Sequence, residues 1–579
     1  MEKTLLLSVL LLAGASAGAQ TPQYLWNRLH GGAGSQDNIT SLVLTADSKL
    51  VSIGHFTSTK TTDKFTFGGE EVASGTASTA MTYNPVVIKH NADGSKAWAV
   101  AMNGAYANGA HAAASAATPD GGVVFVLKTR ASKLGNDYFA PRFVDASGTE
   151  VPVEGWNTSA WVYQAQLVKL SATGEVEWSR FFVQDQTPLP GKTAETTDAV
   201  TPSALTVDTS GNIYVGGSFS TPMAISGTGN SCHILTPRNI SEESADGGLF
   251  LVKLDPEGNY LSHLNPSGAV AGGDRIFALK ASGDKVYLGV VAPCKTGGSL
   301  NLGNVTATLP AAPYSIVTGA LSTALVPEYL AVCSIEGASN GRSSLIPVGI
   351  EVIDASLYVY GGMLGSLHAP GQTGASIACS GTLQEGFAYR TNAADGSFID
   401  ARIYGTGISQ WNNVFAAEGK VWLYGYRMNA AEGVTLRSWD GAESFTLASG
   451  VATCTTTDCA FEPQSKTLYA VARGGKNLPF AFYGTEEKST APAGGFAASL
   501  AAFKLDTKTS AVEASAVVSG LKLTAGKGII IIESDMEREI EIFDISGIPA
   551  FTCTVKAGKI ELPLASGLYV CGSAKLHVR

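Results

Sequence analysis

The sequence predicts an all-β protein, a seven-bladed β-propeller followed by a small C-terminal β-sandwich. Three observations predict it: one hairpin pattern recurs about every 70 residues, a second pattern alternates with it, and both stop after residue 518. The predicted divisions are a signal peptide over 1–19, a propeller over 20–518 and a C-terminal domain over 519–579.

The first 19 residues have the order of a secretory signal. Glu2 and Lys3 precede an apolar run from Leu5 to Leu12, and small residues continue to Ala19. A charged, an apolar and a small-residue region in this order predict cleavage after Ala19. The apolar run is too short to span a bilayer, so we expect an exported mature chain without a transmembrane segment.

The composition excludes some classes of partner. Charged residues make up 15% of the chain, the net charge is −10 and there are 66 glycines. Without a basic run, nucleic acid is not an expected partner. A surface of Ser, Thr, Asn and Gly is typical of exported β proteins and argues against a helical array.

The first hairpin pattern joins a strand of small and apolar residues, a tight turn rich in Asp, Gly and Ser, and a β-branched or aromatic strand. Its seven copies lie at 41–58, 114–132, 203–222, 276–294, 349–367, 413–428 and 459–475.

The second pattern alternates with the first at 85–104, 165–182, 249–268, 329–347, 385–405, 434–450 and 499–518. Two hairpins per repeat give four strands, which is one blade of a β-propeller. A single four-stranded sheet cannot bury both of its apolar faces, whereas a closed ring of sheets can.

The segment "YLWNRLHGGAG" (24–34) precedes the first blade but has the pattern of an outer strand. We expect it to join the last blade and close the ring, with or beside "SAVEASAVV" (510–518). The sequence leaves open which of the two is outermost.

Several repeats resemble a known family. "KLSATGEVEW" followed by "VDTSGNIYVGGSFSTP", and "KLDPEGNYL" followed by "ASGDKVYLG", resemble the SBBP-type β-propeller repeats of exported bacterial proteins, over roughly 24–518. The Gly-then-Trp spacing at Trp98 and Trp178 also resembles quinoprotein propeller repeats. No vicinal cysteine pair or metal-ligand set accompanies that spacing, so no quinone or other cofactor is predicted.

The connections between the second and third strands are long in blades one to five. They cover residues 59–84, 133–164, 221–247, 295–328 and 368–384. In an antiparallel meander these connections emerge on one face, and long loops on a rigid scaffold commonly carry binding specificity. The sequence therefore predicts one face that carries the insertions.

One insertion contains a cluster of aromatic residues. Tyr138, Trp156, Trp161 and Tyr163 are candidate ligand-binding residues, because Trp and Tyr stack on sugars and anchor protein partners. The alternative is that they pack the insertion as a small β-flap over the blade edge.

No catalytic constellation and no metal site are predicted. The eight histidines lack metal-ligand spacing, and neither a G-x-S-x-G elbow nor a phosphate-binding loop occurs. The recurring Asp47, Asp120, Asp208 and Asp284 fall in tight turns, where Asp caps the backbone.

Two cysteine pairings are open to an exported chain. Cys454 and Cys459 would close a short loop, and Cys553 and Cys571 lie within the last β segment. The other four cysteines are interpreted as buried small hydrophobes.

The tail closely resembles the C-terminal sorting domain of the type IX secretion system of Bacteroidetes, at "EIFDISG", "IELPLASGLYVC" and "KLHVR". The resemblance implies that Gly547, Gly567, Tyr569 and Lys575 occupy motif positions, and that the secretion machinery is a partner. The Asn-Pro near the start of many such domains is replaced by "LKLTAGKG". We therefore expect a secreted or outer-surface protein, or a periplasmic one if the tail is only a structural cap.

The leading hypothesis for function is a non-enzymatic exported or cell-surface protein that binds protein or glycan through the long-loop face. The alternatives are a carbohydrate-active enzyme of propeller fold and a structural surface or adhesion component. Convergent Asp, Glu and Arg at the channel mouth would favour the enzyme, whereas an aromatic, uncharged mouth would favour binding.

Overall fold

The computed structural model confirms an all-β chain. It describes residues 22–32, 37–58, 60, 62–74, 82–103, 105–106, 112–134, 137–139, 142–152, 164–184, 200–236, 248–268, 274–337, 344–370, 374–404, 409–427, 433–450, 455–474, 480–482, 488–489, 497–505, 516–518, 521–525, 529–544, 549–563, 567–571 and 574–578. Across these residues every element is a strand, apart from a 3-10 turn at Thr228–Asn230. The chain divides into a large unit that ends at Leu505 and a C-terminal unit that begins at Asp506.

Within the described part of the large unit, seven groups of four antiparallel strands follow one another, each the whole or part of a sheet of four to eight strands, and we number these groups as sheets I to VII. Sheet I contains β2 (Asn38–Leu44), β3 (Leu50–Ser58), β6 (Thr82–His90) and β7 (Lys96–Asn103). Sheet II contains β9 (Ala112–Ala117), β10 (Val123–Leu134), β14 (Gln164–Leu170) and β15 (Val176–Gln184). Sheet III contains β16 (Val200–Val207), β17 (Ile213–Phe219), β20 (Gly248–Leu254) and β21 (Tyr260–Leu264).

The later sheets repeat this order. Sheet IV contains β22 (Arg275–Ser282), β23 (Lys285–Cys294), β26 (Ala312–Ser322) and β27 (Pro327–Glu336). Sheet V contains β28 (Ser344–Ile353), β29 (Ser356–Leu364), β32 (Glu385–Asn392) and β33 (Phe398–Tyr404). Sheet VI contains β34 (Ser409–Ala417), β35 (Lys420–Arg427), β36 (Val434–Ser438) and β37 (Ser444–Gly450). Sheet VII contains β38 (Cys459–Glu462), β39 (Thr467–Gly474), β42 (Ala497–Lys504) and β1 (Gln23–Gly32).

The first strands of the sheets contact one another in a closed cycle that runs from β2 through β9, β16, β22, β28, β34 and β38 back to β2. The apolar core is divided in the same way. Each cluster of buried side chains in this unit combines residues of two neighbouring sheets, including sheets VII and I. Every sheet therefore buries both faces against neighbours, which is the physical reason for the repeat.

The N-terminal strand β1 supplies the fourth strand of sheet VII. It pairs antiparallel with β42, in a register that runs from Gln23 opposite Lys504 to His30 opposite Ala498. Residues Ala516–Val518 pair instead with Leu521–Ala525 in the C-terminal unit. This resolves the choice that the sequence left open, and places 516–518 outside the large unit, although the predicted boundary was at 518.

The insertions between second and third strands form hairpins, which we call straps. Each strap is inserted between the second and third strands of one sheet, but it forms its hydrogen bonds with the outer strand of the sheet that precedes it in the cycle. The straps are β4 and β5 (Lys64–Phe67, Glu70–Ser74) on β1, β12 and β13 (Arg142–Val144, Glu150–Pro152) on β7, β18 and β19 (Met223–Ser226, Cys232–Leu235) on β15, β30 and β31 (Ser366–His368, Ile377–Ala378) on β27, and β40 and β41 (Phe480–Phe482, Lys488–Ser489) on β37.

Each of these straps pairs with the last three residues of the outer strand, so all lie at the same end of the sheets. A sixth hairpin, β24 and β25 (Gly298–Leu302, Val305–Leu309), bridges to sheet III through Ser267 and Asn301. Two short strands, β8 (Ala105–Tyr106) and β11 (Asp137–Phe139), pair with β10. The described insertions are hairpins that lengthen neighbouring sheets and cover their edges, and a binding role for the long-loop face stays a prediction.

Aromatic side chains connect outer strands to the turns of the next sheet. The indole Nε1 groups of Trp26, Trp98 and Trp178 donate hydrogen bonds to turn carbonyls at distances of 2.9–3.1 Å. The acceptors are Ala92, Ala172 and Pro256, respectively. The Tyr329 hydroxyl donates to the Ala393 carbonyl in the same way, at 3.2 Å. These contacts join sheets VII to I, I to II, II to III and IV to V.

The described part of the C-terminal unit contains two four-stranded antiparallel sheets. One has the order β43 (Ala516–Val518), β44 (Leu521–Ala525), β45 (Ile529–Ser534), β48 (Gly558–Pro563). The other has the order β47 (Pro549–Val555), β46 (Arg538–Asp544), β49 (Gly567–Cys571), β50 (Ala574–Val578). Both sheets contribute to one core, in which Ile530 and Ile532 of the first sheet pack with Ile540 and Ile542 of the second.

Candidate functional site

A cavity of about 490 Å³ lies at the ends of the first strands of five sheets. Its lining includes Leu44 of sheet I, Lys280 of sheet IV, Glu351 of sheet V, Phe415 of sheet VI and Phe461 of sheet VII. These residues lie next to the tight first turns, at the end of the sheets opposite the straps. Because the first strands form the inner ring, we call this site the channel-mouth cavity.

Three of the lining residues occupy equivalent positions after a β-bulge in their first strands. Phe277, Val348 and Asn412 are unpaired bulge residues in the first strands of sheets IV, V and VI. Lys280, Glu351 and Phe415 each follow their bulge by three residues. A bulge re-aims the residues that follow it, so equivalent positions in successive sheets converge on one cavity.

An ion pair crosses the cavity wall between two sheets. The Lys280 ammonium lies 2.8 Å from the Glu351 carboxylate, and the side chains are 37% and 23% exposed. Asp354, in the turn that follows β28, also lines the cavity and is exposed, with a left-handed φ of 53°. The described charges of the lining are thus one cation and two carboxylates.

An aromatic pair forms another part of the lining. The rings of Phe415 and Phe461 stack with centroids 5.4 Å apart and an interplanar angle of 22°. Both side chains are half-buried. Stacked phenyl rings beside an ion pair provide apolar surface and charge in one concave site, as small-ligand pockets do.

A half-buried carboxylate lies beside the cavity. One Asp458 oxygen accepts hydrogen bonds from the Cys459 amide at 2.8 Å and the Asn413 side-chain amide at 2.9 Å, and the other accepts from the Leu42 amide at 2.9 Å and the Ser41 hydroxyl at 3.5 Å. These donors belong to sheets VI, VII and I. Burial raises the pKa of the Asp458 carboxyl to about 6, although the amide donors act in the opposite direction.

The turn aspartates have the capping role expected from the sequence. One Asp208 oxygen accepts from the amides of Ser210 and Asn212, and the other accepts from the Tyr214 hydroxyl at 2.9 Å. Asp120 accepts from the Gly122 amide and pairs with the Lys169 ammonium. Their acceptor capacity is used by the turn amides and by side chains of the adjoining strands.

The predicted aromatic site lies almost entirely outside the described part of the chain. Tyr138 lies in β11 opposite Lys133, and its side chain is outside the described part. Trp156, Trp161 and Tyr163 fall outside the described residues altogether. Their role in ligand binding stays a prediction.

The motif residues of the tail lie partly in paired strands. Gly567 and Tyr569 in β49 pair with Val578 and Leu576, and Lys575 in β50 pairs with Val570. Gly547 is outside the described residues. Their role in sorting stays a prediction.

The cysteine pairings also stay predictions. Cys459 is buried in β38 and Cys553 is half-buried in β47. Cys454, and the side chain of Cys571, lie outside the described part of the chain.

Two searches of the described residues concern metals and membranes. No group of three or more His, Cys, Asp or Glu is arranged to hold a metal ion in that part of the chain. Among the same residues, no helix has the length and apolar character needed to cross a bilayer.

No protein-family model and no curated protein matches this sequence. Solved structures with a similar arrangement include the quinohemoprotein alcohol dehydrogenase of Comamonas testosteroni, at 12% identity and a TM-score of 0.36, covering 83% of this chain and 76% of that one. PorZ of Porphyromonas gingivalis, a surface component of the type-IX secretion system, is 9% identical with a TM-score of 0.17, covering 95% and 100%.

The extracellular domain of a hybrid two-component system of B. thetaiotaomicron is 9% identical with a TM-score of 0.16, covering 97% of this chain and 99% of that one. At these identities and TM-scores, none of the three similarities carries an argument about activity, location or partners. The resemblances to SBBP repeats and to the sorting domain therefore remain predictions from the sequence.

Proposed function

We propose that the protein is an exported, non-enzymatic binding protein, built as a seven-bladed β-propeller with a C-terminal β-sandwich for sorting. The closed cycle of first strands and the division of the core between neighbouring sheets support the propeller. The shared core of the two C-terminal sheets supports the sandwich.

The observation that carries the binding function is the channel-mouth cavity. Most of its lining residues come from first strands that are hydrogen-bonded within their sheets, so the site is pre-formed. A pre-formed site with an aromatic pair and an ion pair favours recognition of a ligand over a purely structural role. We therefore place ligand binding at this mouth, and the long-loop face with Tyr138, Trp156, Trp161 and Tyr163 is the second place to test.

Mature protein on glycan and peptide arrays tests the binding function. We expect a set of ligands whose signal falls at least tenfold in Phe461→Leu. The matched control, Phe445→Leu, changes a partly buried ring in the outer strand β37, away from the cavity. Ligands that are equally retained by Phe461→Leu but lost after substitution of Trp156 and Trp161 would move the site to the long-loop face.

The carbohydrate-active enzyme is the main alternative. Glu351 is engaged by Lys280, and Asp458 by its four donors, so two of the three described acidic groups at the mouth are already partnered. A paired carboxylate is poorly suited to act as glycosidase acid or nucleophile. Release of a chromophore from aryl glycosides by the wild type, abolished in Glu351→Gln, would replace our proposal with the enzyme.

Export and sorting are tested by intact mass and location of the native protein. Recovery outside the cell, with an N-terminus at Gln20 and without the tail, is the expected result. A periplasmic protein that still ends at Arg579 would contradict the sorting role and leave the tail as part of the working fold.

A further inference from the structure

We propose that the channel-mouth cavity binds an organic cation with an apolar stem, an alkylammonium or alkylguanidinium group. This inference rests on the proposed binding function and deepens it by naming the ligand chemistry. The cation comes either from a protruding Lys or Arg of a partner protein or from a free amine.

The charges of the site favour a cation. Glu351 and Asp354 line the cavity, and Lys280 is the one cation among the described lining residues. Asp458 directly precedes the lining residue Cys459 in the sequence. The Asp458 carboxyl has a pKa of about 6 and is mostly ionised at neutral pH. Two carboxylates against one ammonium give the described lining a net negative charge, the neighbouring Asp458 carboxylate adds to it, and a concave site focuses that field on an approaching ligand.

The aromatic pair favours a cation that carries carbon. The half-buried rings of Phe415 and Phe461 offer a surface on which a stem of methylene groups can pack. Phenyl faces also attract ammonium and guanidinium groups within about 6 Å. Leu44 and Val352 add aliphatic surface to the lining. An inorganic cation would leave this apolar surface unused.

The Lys280 ammonium competes with a cationic ligand for the Glu351 carboxylate. Lys280 from sheet IV reaches Glu351 of sheet V, and is the same type of group as the proposed ligand. An entering alkylammonium therefore competes with the Lys280 ammonium for the Glu351 carboxylate. Because Lys280 is engaged by Glu351, an anionic ligand finds its counter-ion already occupied.

Opposite effects of two substitutions test the inference in the mature full chain. The probe is N-acetyl-arginine amide, and its neutral isostere N-acetyl-citrulline amide is the control ligand, both measured by titration calorimetry. We expect the affinity for the arginine probe to fall at least tenfold in Glu351→Gln and to rise several-fold in Lys280→Gln. We expect the citrulline probe to bind at least tenfold more weakly than the arginine probe.

The control variants change a second ion pair, which links the second and outer strands of sheet IV and does not line the cavity. Lys285 and Glu328 form that pair, so Glu328→Gln and Lys285→Gln should leave the affinity unchanged. Equal binding of the two probes, or a shift of the same sign in Glu351→Gln and Lys280→Gln, would overturn the inference. Unchanged circular dichroism in each variant excludes misfolding as the cause of a lost signal.

A second arm distinguishes the sources of the cation. Tighter binding of a flexible peptide with a central Arg than of the blocked amino acid assigns the site to a protein partner, whereas equal binding assigns it to a free amine. Failure of this inference is separable from failure of the proposed function. Array ligands that are lost in Phe461→Leu but retained in Glu351→Gln would overturn the cation and keep the binding function.

Discussion

At the scale of single residues, turn glycines meet two requirements at once. Gly174 has a φ of +87°, which favours glycine, and a Cβ there would lie 2.7 Å from the Trp98 ring of the preceding sheet. A Cβ at Gly94 would likewise meet the Trp26 ring, and a Cβ at Gly396 would meet the Tyr329 ring. The turn pattern predicts the first requirement, since glycine is common where φ is positive. It does not reveal the second, because the ring comes from another repeat.

Gly174→Ala therefore costs more stability than an ordinary turn substitution. Gly148 is the matched control, because its φ is +82° and nothing lies within 4 Å of a Cβ built there. We expect about 1 kcal/mol for Gly148→Ala and about 2–4 kcal/mol for Gly174→Ala, since the second change also displaces the Trp98 ring. Urea unfolding measured by tryptophan fluorescence gives both values. Equal costs would show that the ring tolerates the methyl group.

Asp458 is a residue that sequence analysis missed. Its oxygens accept from amides of Leu42 and Cys459, so Asp458→Asn turns an amide N–H₂ toward a backbone donor. We expect a loss of about 1–3 kcal/mol in the free energy of unfolding at pH 7. Asp354→Asn is the control, because this exposed turn position has a φ of 53°, which Asn tolerates, and should cost under about 0.5 kcal/mol. Similar losses in the two variants would contradict a bridging role for Asp458.

At the scale of elements, the straps decide how neighbouring outer strands are covered. The sheet V to VI boundary has no strap among the described residues, because only residues 428–433 separate β35 from β36. Bulky aromatic side chains fill that boundary instead, with Tyr358, Tyr404, Trp411 and Trp439 in one cluster. Guanidinium groups of Arg390 and Arg402 lie over the Trp439 ring, at 5.6 and 5.4 Å.

We expect the straps to contribute to the stability of the large unit. Phe143, in the strap that pairs with β7, is 2% exposed and packs in the core between sheets I and II. We expect Phe143→Ala to lower the free energy of unfolding by about 3–5 kcal/mol. Its neighbour Arg142 forms an exposed ion pair with Glu150, so Arg142→Ala should cost under about 1 kcal/mol. Similar small costs in a denaturant titration would instead show a strap that is dispensable for stability.

The sequence predicted hairpins, and insertions gathered on one face, but not that the insertions pair with a neighbouring sheet. Hairpins are encoded locally, by turn residues between two short apolar strands, and all seven first hairpins of the prediction occur in the structure. The destination of an insertion depends on hydrogen bonds to another repeat, such as Arg142 opposite Asn103. The insertion over 475–496 was missed for a related reason, since its strands β40 and β41 are short.

At the scale of the whole molecule, the cycle of sheets depends on one junction between distant parts of the sequence. Sheets VII and I meet there, and β1 joins the end of the large unit to its beginning. The candidate site also depends on the closed cycle, since Leu44, Glu351 and Phe461 come together only when the cycle forms. The pattern of one repeat could not reveal that site, whereas aligning the first strands of sheets IV, V and VI on their bulge residues puts Lys280, Glu351 and Phe415 at equivalent positions.

The junction of sheets VII and I contains buried imidazoles. His30 of β1 and His90 of β6 are each 1% exposed, and burial lowers the pKa of both to about 3. The ring of His30 packs against Phe65 of the strap at 4.5 Å, and the ring of His90 against Phe67 at 4.8 Å. His90 Nε2 forms a hydrogen bond with the Ser52 hydroxyl at 2.8 Å. The folded junction therefore excludes protons that the unfolded chain would bind.

Lowering the pH should accordingly lower the free energy of unfolding through these two histidines. A folded pKa below the unfolded value near 6.5 gives stability that is complete above 6.5 and is lost as the pH falls toward 3. From pH 7 to pH 5, each of the two histidines should remove about 2 kcal/mol from the free energy of unfolding. Asp458 acts in the opposite direction, because its pKa is raised to about 6, and should return about 1 kcal/mol over the same interval.

The net expectation is a loss of about 3 kcal/mol from these groups between pH 7 and pH 5, measured by urea unfolding at each pH. In His90→Gln the loss should shrink by about 2 kcal/mol, because glutamine does not titrate, whatever the variant costs at pH 7. Phe143→Leu, a substitution without a titratable group in the core between sheets I and II, serves as the control that retains the full pH dependence. If His90→Gln kept the same loss as the wild type, the acid sensitivity would have to arise elsewhere, and the closing junction would not be the part of the cycle that responds to pH.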